Sequence, residues 1–270
     1  SGIATQNLVK KTVGPAPANG YDLSLSSAGK VFVRLNGNVN FRIDSTTPYP
    51  LNGTAWMHAA ATYDGTTIRL YINGVQQGTC FNNGTVCGGA AAGPVGGIVT
   101  NGTALGIGVD PSLIQHFNGA LDEVRVYNRA LSLAEIVGLQ TGPTPTPAGT
   151  ATATPPPAVT ATATPPPAVT ATATPPPAVT PTPTPPLAGT ATRTATPTPA
   201  VSPDLVGYWP MEEGSGTSIL DASGLGNTGT LPVSGTWVAG KQGAFALRVD
   251  GTTQYATVPN APSLNLTSTI

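Results

Sequence analysis

YDLSLSSAGKVFVRLNGNVNFRI, residues 21–43, alternates apolar and polar side chains and breaks the alternation at turn residues. Tyr21, Leu23 and Leu25 are followed by Gly29, then Val31, Val33 and Leu35 by Asn36-Gly37, then Val39, Phe41 and Ile43 close the run. A period of two puts each apolar set on one face of an extended chain, so three antiparallel strands are expected. Asn-Gly supplies the positive φ angles of a tight hairpin, and the device recurs at Asp64-Gly65 and Asn73-Gly74. Those turns frame strands near 56–63 and 67–73. Trp56, His58, Ala60 and Thr62 share a face of the first, Ile68, Leu70 and Ile72 a face of the second, and together they sketch an inner sheet surface.

Beyond them, residues 88–108 are rich in Gly and Ala and read as loop, with a short strand near 104–109. ALDEVRVY, residues 120–127, reads as a strand. Ser132 with Glu135 three positions later forms a capping box that opens a short helix to Leu139. Further on, LVGYWPM (205–211), AFALRVD (244–250) and QYATVP (254–259) are again extended, with Gly-rich connections. One short helix among many strands makes the class all-β and antiparallel, and a two-sheet jelly-roll sandwich fits it best. Trp56 and Trp209 lie in strand-like runs and are assigned to its core.

Between these regions lies a tract of Pro, Thr, Ala and Val built on the repeat PPPAVTATAT. It holds nineteen of the 29 prolines and a single charge, Arg193, so it has neither the apolar area nor the backbone freedom to form a core. The expected organisation is residues 1–142, a disordered Pro/Thr/Ala-rich linker over 143–203, and residues 204–270. The third segment is short for an independent core. Thr beside Pro fits an O-glycosylated stalk, and a bare linker equally well.

Net charge is −1 with 9% charged residues, which leaves no basic face for nucleic acid and no polybasic segment for anionic lipid. No apolar run reaches the length of a bilayer span, so membrane insertion is not expected. Ser1 opens in an ordinary polar stretch without signal-peptide character, the pattern of a processed chain or a fragment. Cys80 and Cys87 flank a short Asn/Gly-containing loop. A local disulfide there would stabilise by about 2.5 kcal/mol, the alternative being two free thiols. Neither His58 nor His116 has the second close-spaced ligand that zinc needs.

Longer motifs carry a family resemblance. AWMHAAATYDGTTIRLYINGVQQGT (55–79) and FNGALDEVRVYNRALSLAEI (117–136) resemble the back half of a laminin-G-like, concanavalin A-like jelly-roll module. LVGYWPMEEGSGTSILDASGLGNTGTL (205–231), WVAGKQGAFALRVDGTTQYATVPN (237–260) and PSLNLTSTI (262–270) resemble the front half of the same kind of module. Residues 1–142 are thus read as the C-terminal part of one module and 204–270 as the N-terminal part of another, in reversed order. In such a fold the first and last strands are neighbours, so the two parts are expected to complement each other as a circular permutant. A flexible tether of about 60 residues spans roughly 40 Å, enough to allow it. About one strand is then missing between Ile270 and Ser1, which should leave a gap or an exposed edge.

The resemblance implies a non-catalytic binding or adhesion module, secreted or on a cell surface, with a polysaccharide or glycan as partner and a protein ligand as an alternative. A structural spacer repeat and an accessory region of a larger secreted glycoside hydrolase are the other readings. Glycosidases need two carboxylates about 5 to 9.5 Å apart. Asp122 and Glu123 are adjacent on a strand and point to opposite faces, and Glu212 and Glu213 sit in a Gly-Ser loop that reads as a solvated turn, so no catalytic residue is assigned. Asp221, Ser223 and Asn227 in DASGLGN space oxygen side chains as a calcium loop does, and the resemblance adds Asp122 to Asp221 and Asn227 as ligands of a structural Ca2+; a Gly-rich Asx turn is the alternative. Trp237, Tyr49 and Tyr255 lie beside loops and are the candidates for stacking on sugar rings. Asn52, Asn83, Asn101 and Asn265 begin N-x-Thr sequons, three of them Asn-Gly-Thr turns.

Overall fold

A computed structural model describes residues 4–12, 19–50, 55–80, 87–141 and 202–270. The Pro/Thr tract, apart from Ser202 and Pro203, and the sequons at Asn52 and Asn83 lie outside the described residues. Residues 1–142 and 200–270 form one compact unit.

The N-terminal segment contributes β1 (Gln6–Lys11), β2 (Tyr21–Leu25), β3 (Lys30–Leu35), β4 (Arg42–Pro48), β5 (Ala59–Tyr63), β6 (Thr67–Ile72) and β7 (Val75–Gln76). It continues with β8 (Thr79–Cys80), β9 (Ala90–Ala92), β10 (Leu105–Ile107), β11 (Asn118–Leu121), β12 (Val124–Tyr127) and the helix α1 (Leu133–Thr141). The C-terminal segment adds β13 (Leu205–Trp209), β14 (Ser218–Ile219), β15 (Gly229–Thr230), β16 (Thr236–Ala239), β17 (Phe245–Asp250) and β18 (Ala256–Val258). A large antiparallel sheet runs β14-β15-β18-β10-β1-β2-β3-β4-β8. Opposite it stand β5-β6-β7 with β9 against β6, the pair β12-β13, and β11-β17-β16. One apolar cluster joins both layers: Leu25, Val33 and Leu105 of the large sheet meet Leu70, Val126, Trp209 and Leu247 of the smaller ones. The fold is an all-β, antiparallel jelly-roll sandwich.

The two segments share three ladders. Leu105 pairs with Val258, Leu121 with Leu247, and Val126 with Gly207. The strand around Trp209 thus pairs with the strand around Val126. Side chains cross the same seams: Lys11 Nζ donates to Asn260 Oδ1 at 2.7 Å, Tyr21 OH to the Leu264 carbonyl at 3.2 Å, and Arg129 pairs with Asp204 at 2.7 Å. Trp209 is fully buried, its indole N–H donating to the Asn227 carbonyl at 2.8 Å.

Several local expectations are corrected. Val39–Phe41 is one turn of 3₁₀ helix, because Asn38 turns its side-chain oxygen onto the Asn40 amide at 2.9 Å; β4 starts only at Arg42, and Val39 is exposed. Asn36-Gly37 adopts positive φ but opens that longer connection rather than a two-residue hairpin. Asn73-Gly74 is such a hairpin, with Ile72 opposite Val75. On β5, Ala60 and Thr62 lie opposite Tyr71 and Arg69, so their face is the one turned away from buried Ile68, Leu70 and Ile72. The inner face carries Ala59, Ala61 and Tyr63 instead. Trp56 precedes the strand and is 39% exposed, not a core residue. The expected single strand over 120–127 is broken at Asp122-Glu123, where Glu123 takes φ +56°.

Candidate functional site

Because β5 and β12 are both terminal strands of their sheets, an open cleft of about 580 Å3 separates them. Tyr21, Leu23 and Val33 of the large sheet form its floor, and Ile136 and Leu139 of α1 line it as well. A second cleft of about 90 Å3 is bounded by Tyr49, Trp56, Met57, Phe117, Leu121 and Asp122. Trp56 and Asp122 line both.

Asp122 is positioned by the break between β11 and β12. One carboxylate oxygen accepts the amides of Lys241 at 2.7 Å and Gln242 at 2.9 Å, while Oδ1 is buried without a partner among the described residues. Burial raises its pKa, against the pull of those amides. Its neighbour Glu123 is fully engaged, paired with Arg125 and accepting the Tyr208 hydroxyl at 3.1 Å. Arg125 in turn lies 4.3 Å over the Tyr208 ring, and burial pushes the Tyr208 hydroxyl up to about 12. His58 borders the large cleft, and burial, helped by the charge of Arg125, lowers its pKa.

The three aromatic candidates do not converge. Tyr49 joins Trp56 at the small cleft, its ring set edge-on to Phe117 at 6.0 Å. Tyr255 lies 5.2 Å from His116, and Trp237 is on β16 with its indole N–H unpartnered among the described residues. Trp56, placed in the core by sequence reasoning, is an exposed aromatic at the clefts; its position just ahead of a strand whose register was unknown hid this.

Asp221 and Asn227 do not form a calcium cage. The Asp221 carboxylate accepts four donors: the amides of Tyr208 and Ser223 at 2.9 Å each, the Ser223 hydroxyl at 2.8 Å and the Asn227 amide at 2.7 Å. Protons aimed at both oxygens exclude a cation from the same lone pairs. The Asn227 side chain spends its N–H groups on the Val206 carbonyl and Ser263, and Asp122 is engaged by Lys241 and Gln242. Among the described residues no group of His, Cys, Asp or Glu is placed to hold a metal. Glu212 and Glu213 are not a solvated turn either: Glu212 caps the amides of Ala244 and Phe245, and Glu213 that of Leu220. Cys80 and Cys87 form a disulfide. At Asn101 the side-chain nitrogen donates to the Lys11 carbonyl and to Asn19, a turn-building role.

Among the described residues no helix is long and apolar enough to cross a membrane. No curated protein and no solved structure matches the chain. A laminin G-type family model, described as the concanavalin A-like lectin/glucanases superfamily, matches residues 4–137. That match covers β1 through most of α1, a segment that supplies strands to both layers of the sandwich and the residues of the small cleft.

Proposed function

We propose that this chain is a non-catalytic recognition module of a secreted or surface-displayed protein and that its ligand is a glycan, bound at the small cleft. Residues 1–142 serve as the back part of a laminin-G-like module and 204–270 as the front part, with the Pro/Thr tract as a spacer. The observation that carries the glycan reading is that Asp122, whose Oδ1 has no hydrogen-bond partner among the described residues, and the exposed Trp56 line the same cleft. A sugar needs both: an aromatic face for its C–H surface and a carboxylate oxygen to accept a hydroxyl. Tyr49 lines the same cleft. Hydrolysis would need a second, uncommitted carboxyl as acid, and the adjacent Glu123 is held by Arg125 and Tyr208.

The reading is tested by affinity electrophoresis against a panel of soluble polysaccharides. Trp56→Ala and Asp122→Asn are each expected to weaken a bound polysaccharide at least about tenfold, the loss of roughly 1.4 kcal/mol, whereas Trp237→Ala leaves it unchanged. Asp122→Asn keeps a carbonyl for the two amides, so its effect reports the free oxygen rather than the fold. Retardation by no polysaccharide in the panel, or retardation that survives both substitutions, overturns the assignment.

A further inference from the structure

We propose that the open edge of β16 is a self-association surface: two copies of the chain pair there about a two-fold axis, β16 against β16, so that their three-stranded sheets run on as one. The glycan reading uses Trp56 and Asp122, and this proposal uses neither.

Other terminal strands are shielded. β8 and β14 are two residues long, and the outer edge of β13 is met by its own segment, the Ala222 amide donating to the Tyr208 carbonyl at 2.7 Å. β16 closes the β11-β17-β16 sheet with Thr-Trp-Val-Ala, four residues without charge or proline and in unshifted register with β17. A charge, a proline or a bulge is what blunts an edge against pairing, and β16 has none of the three.

Ladder alternation says which of its backbone groups face out. The Gly240 amide donates to the Ala244 carbonyl and closes the β16-β17 hairpin. Counting from that pair, Val238 and Thr236 turn towards β17, and Trp237 and Ala239 present their amides and carbonyls to the open side. The Phe245 amide agrees: opposite Ala239 in the register, it goes to the Glu212 carboxylate at 3.3 Å instead. Outside the ladder with β17, no described residue bonds the backbone of Trp237 or Ala239.

The occupant that this edge fits is itself. With the axis between the two Val238 residues, Trp237 exchanges both bonds with the second copy's Ala239, and Ala239 with the second copy's Trp237, which makes the contact isologous and closed. Side chains suit the same register. On the inner face small Ala239 falls beside the second copy's Trp237, and Phe245, next along that row and 39% exposed, gains an aromatic neighbour across it. On the other face Val238 meets Val238 at a close, non-hydrogen-bonded position, a favourable β-branched pair. Lys241, the next charge along the chain, comes opposite Gly235 rather than a second lysine.

A seam of two such short strands is smaller than a stable interface, so the full chain is expected to dimerise weakly, with Kd about 100 µM by sedimentation velocity between about 5 and 500 µM. Val238→Lys sets two ammonium groups face to face on the axis and should weaken the dimer at least about tenfold, whereas Thr236→Lys, opposite Gly240 of the second copy, should change Kd less than about threefold. A covalent readout needs no stable dimer. Cys80 and Cys87 are already bonded, so Val238→Cys introduces the one free thiol of the chain. Facing its symmetry mate, it should oxidise to an intermolecular disulfide, dissolved oxygen taking the two electrons and two protons. Thr236→Cys, whose mate lies roughly 13 Å along the seam, should stay uncrosslinked. A chain that remains monomeric at about 500 µM, a dimer indifferent to Val238→Lys, or equal crosslinking of the two cysteine variants overturns the proposal, whatever the polysaccharide panel shows.

Discussion

Gly207 shows how a single residue is fixed by its neighbour. It sits in the middle of β13, where glycine weakens a strand, yet a Cβ there would lie 2.5 Å from the six-membered ring of Trp209. That ring is fully buried and cannot swing aside. Gly207→Ala should therefore cost about 1–3 kcal/mol in urea unfolding, and an unchanged midpoint would show that the indole has room to give. Lys11 is constrained by charge instead. Its ammonium is taken from solvent to donate to the Thr103 carbonyl at 2.6 Å and Asn260 at 2.7 Å, and burial lowers its pKa from 10.5 to about 8. Between those two values the unfolded chain binds the proton and the folded chain has released it, so stability rises with pH from about 8 to about 10.5. Below pH 8 both states carry the charge and the cost of its burial is fully present. Because buried tyrosines titrate at the upper end, the measurement is the difference in unfolding free energy between wild type and Lys11→Met from pH 7.5 to 9.5. That difference should grow with pH; a flat difference would place the ammonium in solvent.

Elements differ in how much of themselves they announce. The strands over 21–25, 30–35 and 67–72 and the capping box were legible because each obeys one local rule: alternation in the strands, and in the box the reciprocal bonds from the Ser132 amide to Glu135 and from the Glu135 amide to Ser132. β1 gave no such signal. Its Lys10 and Lys11 look like solvent residues, and only Asp110, Thr103 and Asn260, far along the chain, make their burial possible. The break at Asp122-Glu123 was equally hidden, since its cause is the pair of amides that Lys241 and Gln242 bring from the other segment. The site followed suit: Asp122 was visible as an acidic residue, but its buried oxygen and the cleft it shares with Trp56 depend on how loops from distant positions meet. The loop Asp221–Asn227 makes the contrast testable. Its oxygens have the spacing of a calcium loop, but its carboxylate is saturated by four donors, so Tm in millimolar calcium and in chelator should coincide. Asp221→Ala, which strands those donors, should lower stability by about 2–4 kcal/mol. A calcium-dependent rise in Tm of several degrees in the wild type would restore the metal.

At the scale of the molecule, the chain order and the fold order disagree, and the ladders say which one governs stability. β13, β17 and β18 do not pair mainly among themselves; each lies against a strand of the N-terminal segment, through Val126, Leu121 and Leu105 respectively. Trp209, Leu247, Val249 and Val258 are fully buried in the cluster that also holds Leu25 and Val33, so neither segment alone can cover its own apolar face. Covalent continuity through residues 143–199 then supplies effective concentration. Cutting the chain once within that tract should leave the two fragments co-eluting in size exclusion without denaturant. It should also convert a concentration-independent Tm into one that falls on dilution, because unfolding now releases two molecules. Expressed separately, each fragment should lack cooperative unfolding, and mixing them should restore both the transition and the burial of Trp209, read as a blue shift of indole emission. Fragments that part on the column, or a C-terminal fragment that melts cooperatively by itself, would mean that each segment carries its own core and that the shared ladders add little.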